Sequence, residues 1–289
     1  MTDLSTVRRP WRFWARHGLA WLALPLALLL AAGWVAAHGL DRPLLLQANA
    51  ALLGRAEGGE PQRWLVVWWS SLSLAGRALG LLILFLLAAG RRPDWTAAGL
   101  IVLLLGGLGV DALKGALAAP RPPAVLAPGE ILVLGAALKD RSMPSGHAAG
   151  AFATAAVVLL SRRHGRLRAW AAPLVLGLAT ATALSRLAAG VHWPRDVLAG
   201  AALGWLFGAF AVLLAARTRL SDWVASWHGQ RVAVAALLLC GFLAAALPLG
   251  YPQGMAAQFA LVAAALGVGL HRAWQLTGEA RHKPGVAGS

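Results

Sequence analysis

Lys114-x6-Arg121-Pro122, Pro144-Ser145-Gly146-His147 and Ser185-Arg186-x5-His192-x3-Asp196 place eleven chemically pointed residues within 83 positions. Three cations, two histidines, one carboxylate and a Ser-Gly turn are the groups that hold a phosphoryl group and break its ester bond. Lys114, Arg121 and Arg186 would neutralise a phosphate and the charge that builds in an in-line transition state. Pro144-Ser145-Gly146-His147 precedes an apolar run. Ser145 is therefore an N-cap, Gly146 admits close backbone approach, and the free N–H groups at the positive helix end make an anion site. His192 and Asp196 stand four apart at the start of a predicted helix, with Pro194 in its first turn. That spacing puts them on one face, where the carboxylate fixes the ring tautomer and stabilises the imidazolium. His192 is then a nucleophile or base, and His147 an acid toward a leaving oxygen. Taken singly, each has an ordinary reading: a structural His–Asp pair closing a turn, or a cation snorkelling from a helix end.

The elements that carry these groups are apolar. The 289-residue chain is 59% hydrophobic and 13% charged, with a mean hydropathy of +0.66, where a soluble protein carries about a quarter charged residues. The expected fold is all-α, a polytopic transmembrane helical bundle. A net charge of +15 raises the question of nucleic acid. The arginines, however, sit in short clusters between apolar runs, the pattern of membrane topology rather than of a DNA-binding face. No nucleic-acid partner is expected, and nothing in the spacing sets an oligomeric state. Cys240 is the single cysteine, lies in an apolar run and reads as a buried small hydrophobe.

A hydrocarbon core of about 30 Å needs roughly 20 helical residues. Spans are predicted near 19–38, 65–89, 95–113, 147–161, 169–189, 194–216, 232–249 and 255–271. The first follows Arg8, Arg9, Arg12 and Arg16. Its apolar stretch exceeds the ~7–15 residues of a signal peptide's core, so it is read as a retained helix. This divides the chain into a basic cytoplasmic segment (1–18), a six-helix core (19–216), an appended transmembrane hairpin (217–271) and a disordered cytoplasmic tail (272–289). Arg91-Arg92, the Arg162/Arg163/Arg166/Arg168 cluster, Arg217, Arg219, Arg231, Arg272, Arg281 and Lys283 fall on the side of the N-terminus, which should be cytoplasmic. All three polar blocks then lie at extracytoplasmic helix ends.

Depth is a second consideration. From His147 to Arg162 there are 15 residues, about 22 Å of helix, short of the ~30 Å core, so His147 is expected below headgroup level. Arg77 and Asp111 count to about 21 and 29 Å from the Arg91-Arg92 boundary on straight helices. An intramembrane ionisable group usually pairs or serves function, so Asp111 is expected to pair with Arg77 or Lys114 and position the cationic wall. The 115–143 loop carries an apolar patch, Ile131 to Leu138. It reads as a surface lid admitting lipid tails or as a short buried packing helix. Lys139 and Arg141 would add anion attraction without a catalytic role. Residues 39–64 form an extracytoplasmic segment.

The three blocks together resemble the signature of the phosphatidic acid phosphatase type 2 superfamily. The resemblance covers roughly a third of the chain directly, and the six-helix core of membrane members would cover the first six spans. It implies a metal-independent reaction with no cofactor. His192 would attack phosphorus to give a phosphohistidine, Asp196 orient it, and His147 protonate the leaving group. Lys114, Arg121, Ser145, Gly146 and Arg186 would hold the phosphoryl oxygens, with Pro122, Pro144 and Ser185 supporting them. The membrane spans favour a lipid phosphatase acting on a membrane lipid phosphate within the bilayer. Candidate substrates are undecaprenyl diphosphate, phosphatidylglycerol phosphate, phosphatidate and lipid A phosphates, at the outer face of a bacterial inner membrane. The alternatives are a lipid phosphotransferase and a non-catalytic lipid-binding or transport protein. Against the last, a binder needs neither a nucleophile nor an acid.

Overall fold

The computed structural model describes residues 10–55, 59–161 and 167–282. Arg8, Arg9, Glu57, Arg162, Arg163, Arg166 and Lys283 lie outside the described residues, and the side chains of Arg12, Arg16, Arg168 and Arg281 are also undescribed. Alanine and leucine, the strongest helix formers among apolar residues, build a helical bundle. Its helices are α1 (Pro10–Ala37), α2 (Asp41–Leu52), α3 (Arg63–Ala75), α4 (Ala78–Ala88), α5 (Pro93–Ile101), α6 (Gly107–Leu117), α7 (Pro122–Val125), α8 (Gly146–Leu160), α9 (Leu167–Ala188), α10 (Pro194–Arg217), α11 (Leu220–Ala225), α12 (Trp227–Ala246) and α13 (Met255–His282). A π-helical segment, Val102–Gly106, joins α5 to α6, and a 3₁₀ turn, Pro252–Gly254, leads into α13. Among the described residues, five helical segments are long and apolar enough to cross a membrane. Two bent pairs raise the number to seven. The protein is an all-α, polytopic membrane protein.

Several predicted boundaries change. The 65–89 span is broken: α3 and α4 meet at 67°, with Arg77 in extended conformation at the N-cap of α4. Counting Arg77's depth along one straight helix therefore fails. Residues 41–52 are helical, with α2 turned 109° from α1. The helical backbone already begins at Pro10, within the segment read as a basic leader, and α13 continues to His282, past the expected end at 271. The predicted 147–161 span is α8, 15 residues long.

Two devices position the site. On α10, Gly200, Gly204 and Gly208 recur every fourth residue and face α8. A Cβ at each would fall 2.4 Å from the Ser145 carbonyl oxygen, 2.0 Å from that of Ala149 and 2.5 Å from that of Ala153. Such a small-residue stripe lets two backbones approach where lipid gives no hydrophobic drive for association. The second device is Asn49 of α2, which is buried. Its amide donates to the carbonyls of Leu132, Leu187 and Ala188 at 3.0, 3.2 and 3.0 Å, and its oxygen accepts from the Leu132 N–H at 3.0 Å. One side chain thus ties α2, the 126–145 connection and the C-terminal end of α9 together. Residues 131–138 form no packing helix, and Leu138 lines a groove beside His147. They are a non-helical strap held by Asn49 and by the Leu134 N–H donating to Ala189 at 3.1 Å.

The hairpin α12–α13 packs against α3 and α4. At the end of α4 away from Arg77, Gln230 donates to the Ala89 carbonyl at 3.0 Å and Arg272 donates to Gln230. The opposite end of the hairpin, residues 247–254, lies by the polar blocks.

Candidate active site

Helix α6 carries Lys114 in its last turn and stops at Ala118, whose φ of 42° is left-handed. The chain doubles back so that Arg121 caps α7 and Pro122 opens it. Arg121 is buried and anchored on backbone. Its Nε donates to the Asp140 carbonyl at 2.7 Å, and Nη1 donates to that of Val191 at 3.1 Å. The same Nη1 lies 3.2 Å from His192 Nε2. A guanidinium only donates, so Nε2 is the acceptor and the ring proton sits on Nδ1. This leaves the Nε2 lone pair facing the cations, the arrangement a nucleophile requires.

Further bonds draw the three blocks together. The Trp193 indole donates to the Pro120 carbonyl at 2.9 Å. The Ser145 N–H donates to the Asp196 carbonyl at 2.9 Å, and the α8–α10 glycine stripe sets that approach. His147 closes the group, with Arg186, His192, Arg77 and Lys114 near enough to act on it electrostatically.

His192 and Asp196 meet differently from the expectation. His192 precedes the N-cap Trp193, so the pair does not share a helix face. Asp196 sits at the third position of α10, where Oδ2 accepts from the Trp193 N–H at 3.0 Å. His192 Nδ1 stands 3.7 Å from that oxygen, beyond hydrogen-bond reach. Ser142 stands between them: its hydroxyl donates to Asp196 Oδ2 at 2.5 Å and lies 3.5 Å from His192 Nδ1. Ser142 is fully buried and was missed because it lies two residues ahead of Pro144, with no spacing to mark it. Burial first, then Arg121, Lys114 and Arg186, hold the His192 imidazole well below its ordinary range, in the neutral form.

The expected Asp111 pairing is overturned. Asp111 pairs with Arg141 at 2.7 Å, and both are exposed. Arg77 instead donates to the Leu249 carbonyl at 3.0 Å, and Lys114 Nζ to that of Arg141 at 2.8 Å. Asp111 projects outward from α6, while the α3–α4 break turns Arg77 toward the hairpin. The Ser185 hydroxyl donates to the Thr182 carbonyl at 2.6 Å and accepts from the Ser73 hydroxyl at 3.1 Å, and so ties α9 to α3. Ser145 occupies the N-cap position of α8 but makes no capping bond.

Arg186 is 1% exposed and Asp196 fully buried. Ser145 Oγ, His147 Nε2 and Arg186 Nε are buried without a hydrogen-bond partner among the described residues. Leaving such groups unmet costs about 1–3 kcal/mol each, more when charged. The buried Asp196 carboxylate acts on Lys114 and Arg121, whereas Arg186 is met by the neutral Tyr251, so the cations outnumber the buried carboxylate. A phosphate dianion offers acceptors for the unmet donors and charge for the surplus cations. Beside His147 runs a groove of about 420 Å³ between α4, the α5–α6 segment, α8 and α10. Arg77 and His147 lie at one end, and Leu81, Val102, Ala153 and Phe207 line it away from them.

Comparison with known proteins bears on this arrangement. The profile of the PAP2 superfamily matches residues 95–220. The chain is 36% identical over 137 residues to the decaprenylphosphoryl-5-phosphoribose phosphatase of Mycobacterium tuberculosis, covering 45% of this chain and 69% of that protein. It is 33% identical over 123 residues to the lipid A 1-phosphatase of Porphyromonas gingivalis, covering 41% of this chain but only 24% of that longer protein. The crystal structure of Aquifex aeolicus LpxE superposes with a TM-score of 0.51 at 25% identity, over 60% of this chain and 95% of that one.

Proposed function

The chain belongs to the PAP2 superfamily, and on that premise we propose that it is an integral-membrane lipid phosphatase. It hydrolyses a phosphomonoester or diphosphate of a membrane lipid through a phosphohistidine at His192. One observation carries the reading: a buried, cation-rich cluster with unmet polar groups shares Gly146 and His147 with an apolar groove. The cluster suits a phosphate and the groove suits a chain, so the ligand they describe jointly is an amphiphile. Relatives named for lipid A and for a decaprenylphosphoryl sugar phosphate support that class.

The chemistry follows from the tautomer. The Nε2 lone pair of His192 attacks phosphorus as the bond to the lipid oxygen breaks, and that oxygen takes a proton from His147. Lys114, Arg121 and Arg186, with Ser145 and the N–H groups at the start of α8, hold the equatorial oxygens as charge builds on them. Water then attacks phosphorus, giving its proton to His147, and the nitrogen–phosphorus bond breaks to release phosphate. Asp196, with Ser142, keeps the Nδ1 edge in place and offsets the charge that the ring acquires. No metal enters these steps.

Helix α8 rises about 22 Å over its 15 residues, less than the ~30 Å hydrocarbon core. With Ser161 toward the cytoplasm, the pocket lies beneath the outer headgroups, where a lipid phosphate enters sideways. The arginine clusters put both termini in the cytoplasm and the pocket at the periplasmic face of a bacterial inner membrane.

The test is phosphate release by purified protein from undecaprenyl diphosphate, phosphatidylglycerol phosphate, phosphatidate and lipid A, with His192→Ala as control. Release from at least one lipid and none from the variant is expected. Loss of the phosphoryl group from the donor only when an acceptor lipid is added, with the group recovered on that acceptor and not as free phosphate, would make the protein a transferase. No reaction with any of the four would leave it a binder.

A further inference from the structure

The matched family segment ends at residue 220, yet the site uses a residue beyond it. Tyr251, the only tyrosine of the chain, sits in the turn between α12 and α13. It is buried in a cluster with Leu134, Ala188, Ala189, Val191 and Leu249. Its hydroxyl accepts a hydrogen bond from Arg186 Nη2 at 2.9 Å, and the guanidinium carbon lies 5.5 Å from the ring centre. Two residues earlier the Leu249 carbonyl accepts from Arg77. The turn is closely seated: a Cβ on Gly135 would meet the Gly250 carbonyl oxygen at 2.7 Å, and one on Gly254 would meet the Ser70 backbone at 3.1 Å.

Arg186 needs such a partner. Its Nη2 also lies a long 3.5 Å from the Ser185 carbonyl oxygen, and Nε has no acceptor among the described residues. A buried guanidinium takes its direction from fixed acceptors, and here the strong one is a phenol. A carboxylate in that place would hold Arg186 equally well but would cancel its charge. A neutral hydroxyl occupies Nη2 while leaving the positive charge and the Nε edge to an incoming anion. The ring face adds cation–π attraction that a bound phosphate does not compete for.

We propose that the α12–α13 hairpin is part of the active site and that Tyr251 is the positioning residue that aims Arg186 at the phosphoryl group. The inference rests on the phosphatase reading of the pocket, and its test separates the two. Full-length protein in detergent is titrated with vanadate, read as a rise in melting temperature and as inhibition of lipid turnover. Tyr251→Phe keeps the ring and removes the acceptor. It should weaken vanadate and lower kcat/KM about tenfold, the weight of a hydrogen bond to a charged group. The melting temperature without vanadate should stay close to the parent's. In an Arg186→Lys background the same change should add little. Tyr251→Gln, with a neutral side-chain acceptor, should recover part of the affinity and serves if the Phe variant does not fold.

Equal vanadate affinity in parent and Phe variant overturns the inference. So does a Tyr251→Phe effect of the same size with and without the Arg186 guanidinium. A parent that binds vanadate but dephosphorylates no lipid defeats the substrate reading alone, and the Tyr251 comparison then proceeds on the melting shift. A parent that binds neither vanadate nor phosphate defeats both.

Discussion

Replacing Gly200 by alanine sets a methyl against the backbone that carries the anion-binding turn. The new Cβ would lie 2.4 Å from the Ser145 carbonyl oxygen and 3.1 Å from the Ser145 nitrogen. Ordinary contact begins at 3.4 Å, so α8 must retreat from α10 by about 1 Å. The opposing atoms are main-chain atoms, and no side chain can swing aside. The retreat stretches the 2.9 Å bond from the Ser145 N–H to the Asp196 carbonyl and carries Ser145, Gly146 and His147 away from His192. Misplacement of reacting groups by 1 Å costs about a hundredfold in rate, and overpacking of this kind costs about 1–3 kcal/mol in stability. Gly208→Ala is the matched control. Its Cβ would meet the Ala153 carbonyl oxygen at 2.5 Å, a similar overlap some 12 Å farther along the helix. Phosphate release and thermal unfolding in detergent should show both variants losing similar stability, with Gly200→Ala losing far more kcat/KM. Gly177→Ala, with open space around it, should change neither appreciably. Parental turnover in Gly200→Ala would refute the claim that the glycine stripe sets the site's geometry.

Other expectations follow from the same geometry. Because burial and three cations keep His192 neutral, the acidic limb of kcat/KM should lie below the ordinary histidine value of about 6.5. Arg121→Gln removes one of those cations and should move the limb upward; a parental limb at or above 6.5 contradicts the assignment. Ser142→Ala deprives a fully buried carboxylate of a 2.5 Å donor and should cost about 1.5–3 kcal/mol of stability, measured by denaturant or thermal unfolding. Asp111→Asn breaks only an exposed pair with Arg141. It should leave turnover within twofold and stability within about 1 kcal/mol, and a large loss would return Asp111 to the site.

What the sequence revealed divides along a physical line. Lys114, Arg121, His147, Arg186, His192 and Asp196 stood out because their types and spacings are costly to place in an apolar chain, and the fold gathers them at one end of the bundle. The helices were legible from the length of their apolar runs. The break at Gly76–Arg77 was not, because nothing in the alternation of Leu74, Ala75, Gly76 and Arg77 separates a bent span from a straight one. Depth counted along a continuous helix failed with it, and so did the pairing assigned to Asp111. Ser142, Asn49 and Tyr251 act through contacts with residues 54, 83 and 65 positions away respectively. Such contacts carry no local periodicity. Gly200, Gly204 and Gly208 could have been found, since small residues every fourth position on an apolar helix mark close packing.

The proposed chemistry requires His192 to be phosphorylated during turnover. Rapid denaturation of the protein while it processes a lipid substrate, followed by peptide mass spectrometry under alkaline conditions, reads this directly. One phosphoryl group on His192, absent from His192→Ala and gone once substrate is exhausted, is the predicted result. Turnover with the phosphoryl group on another residue, or sustained turnover by His192→Ala, would contradict it.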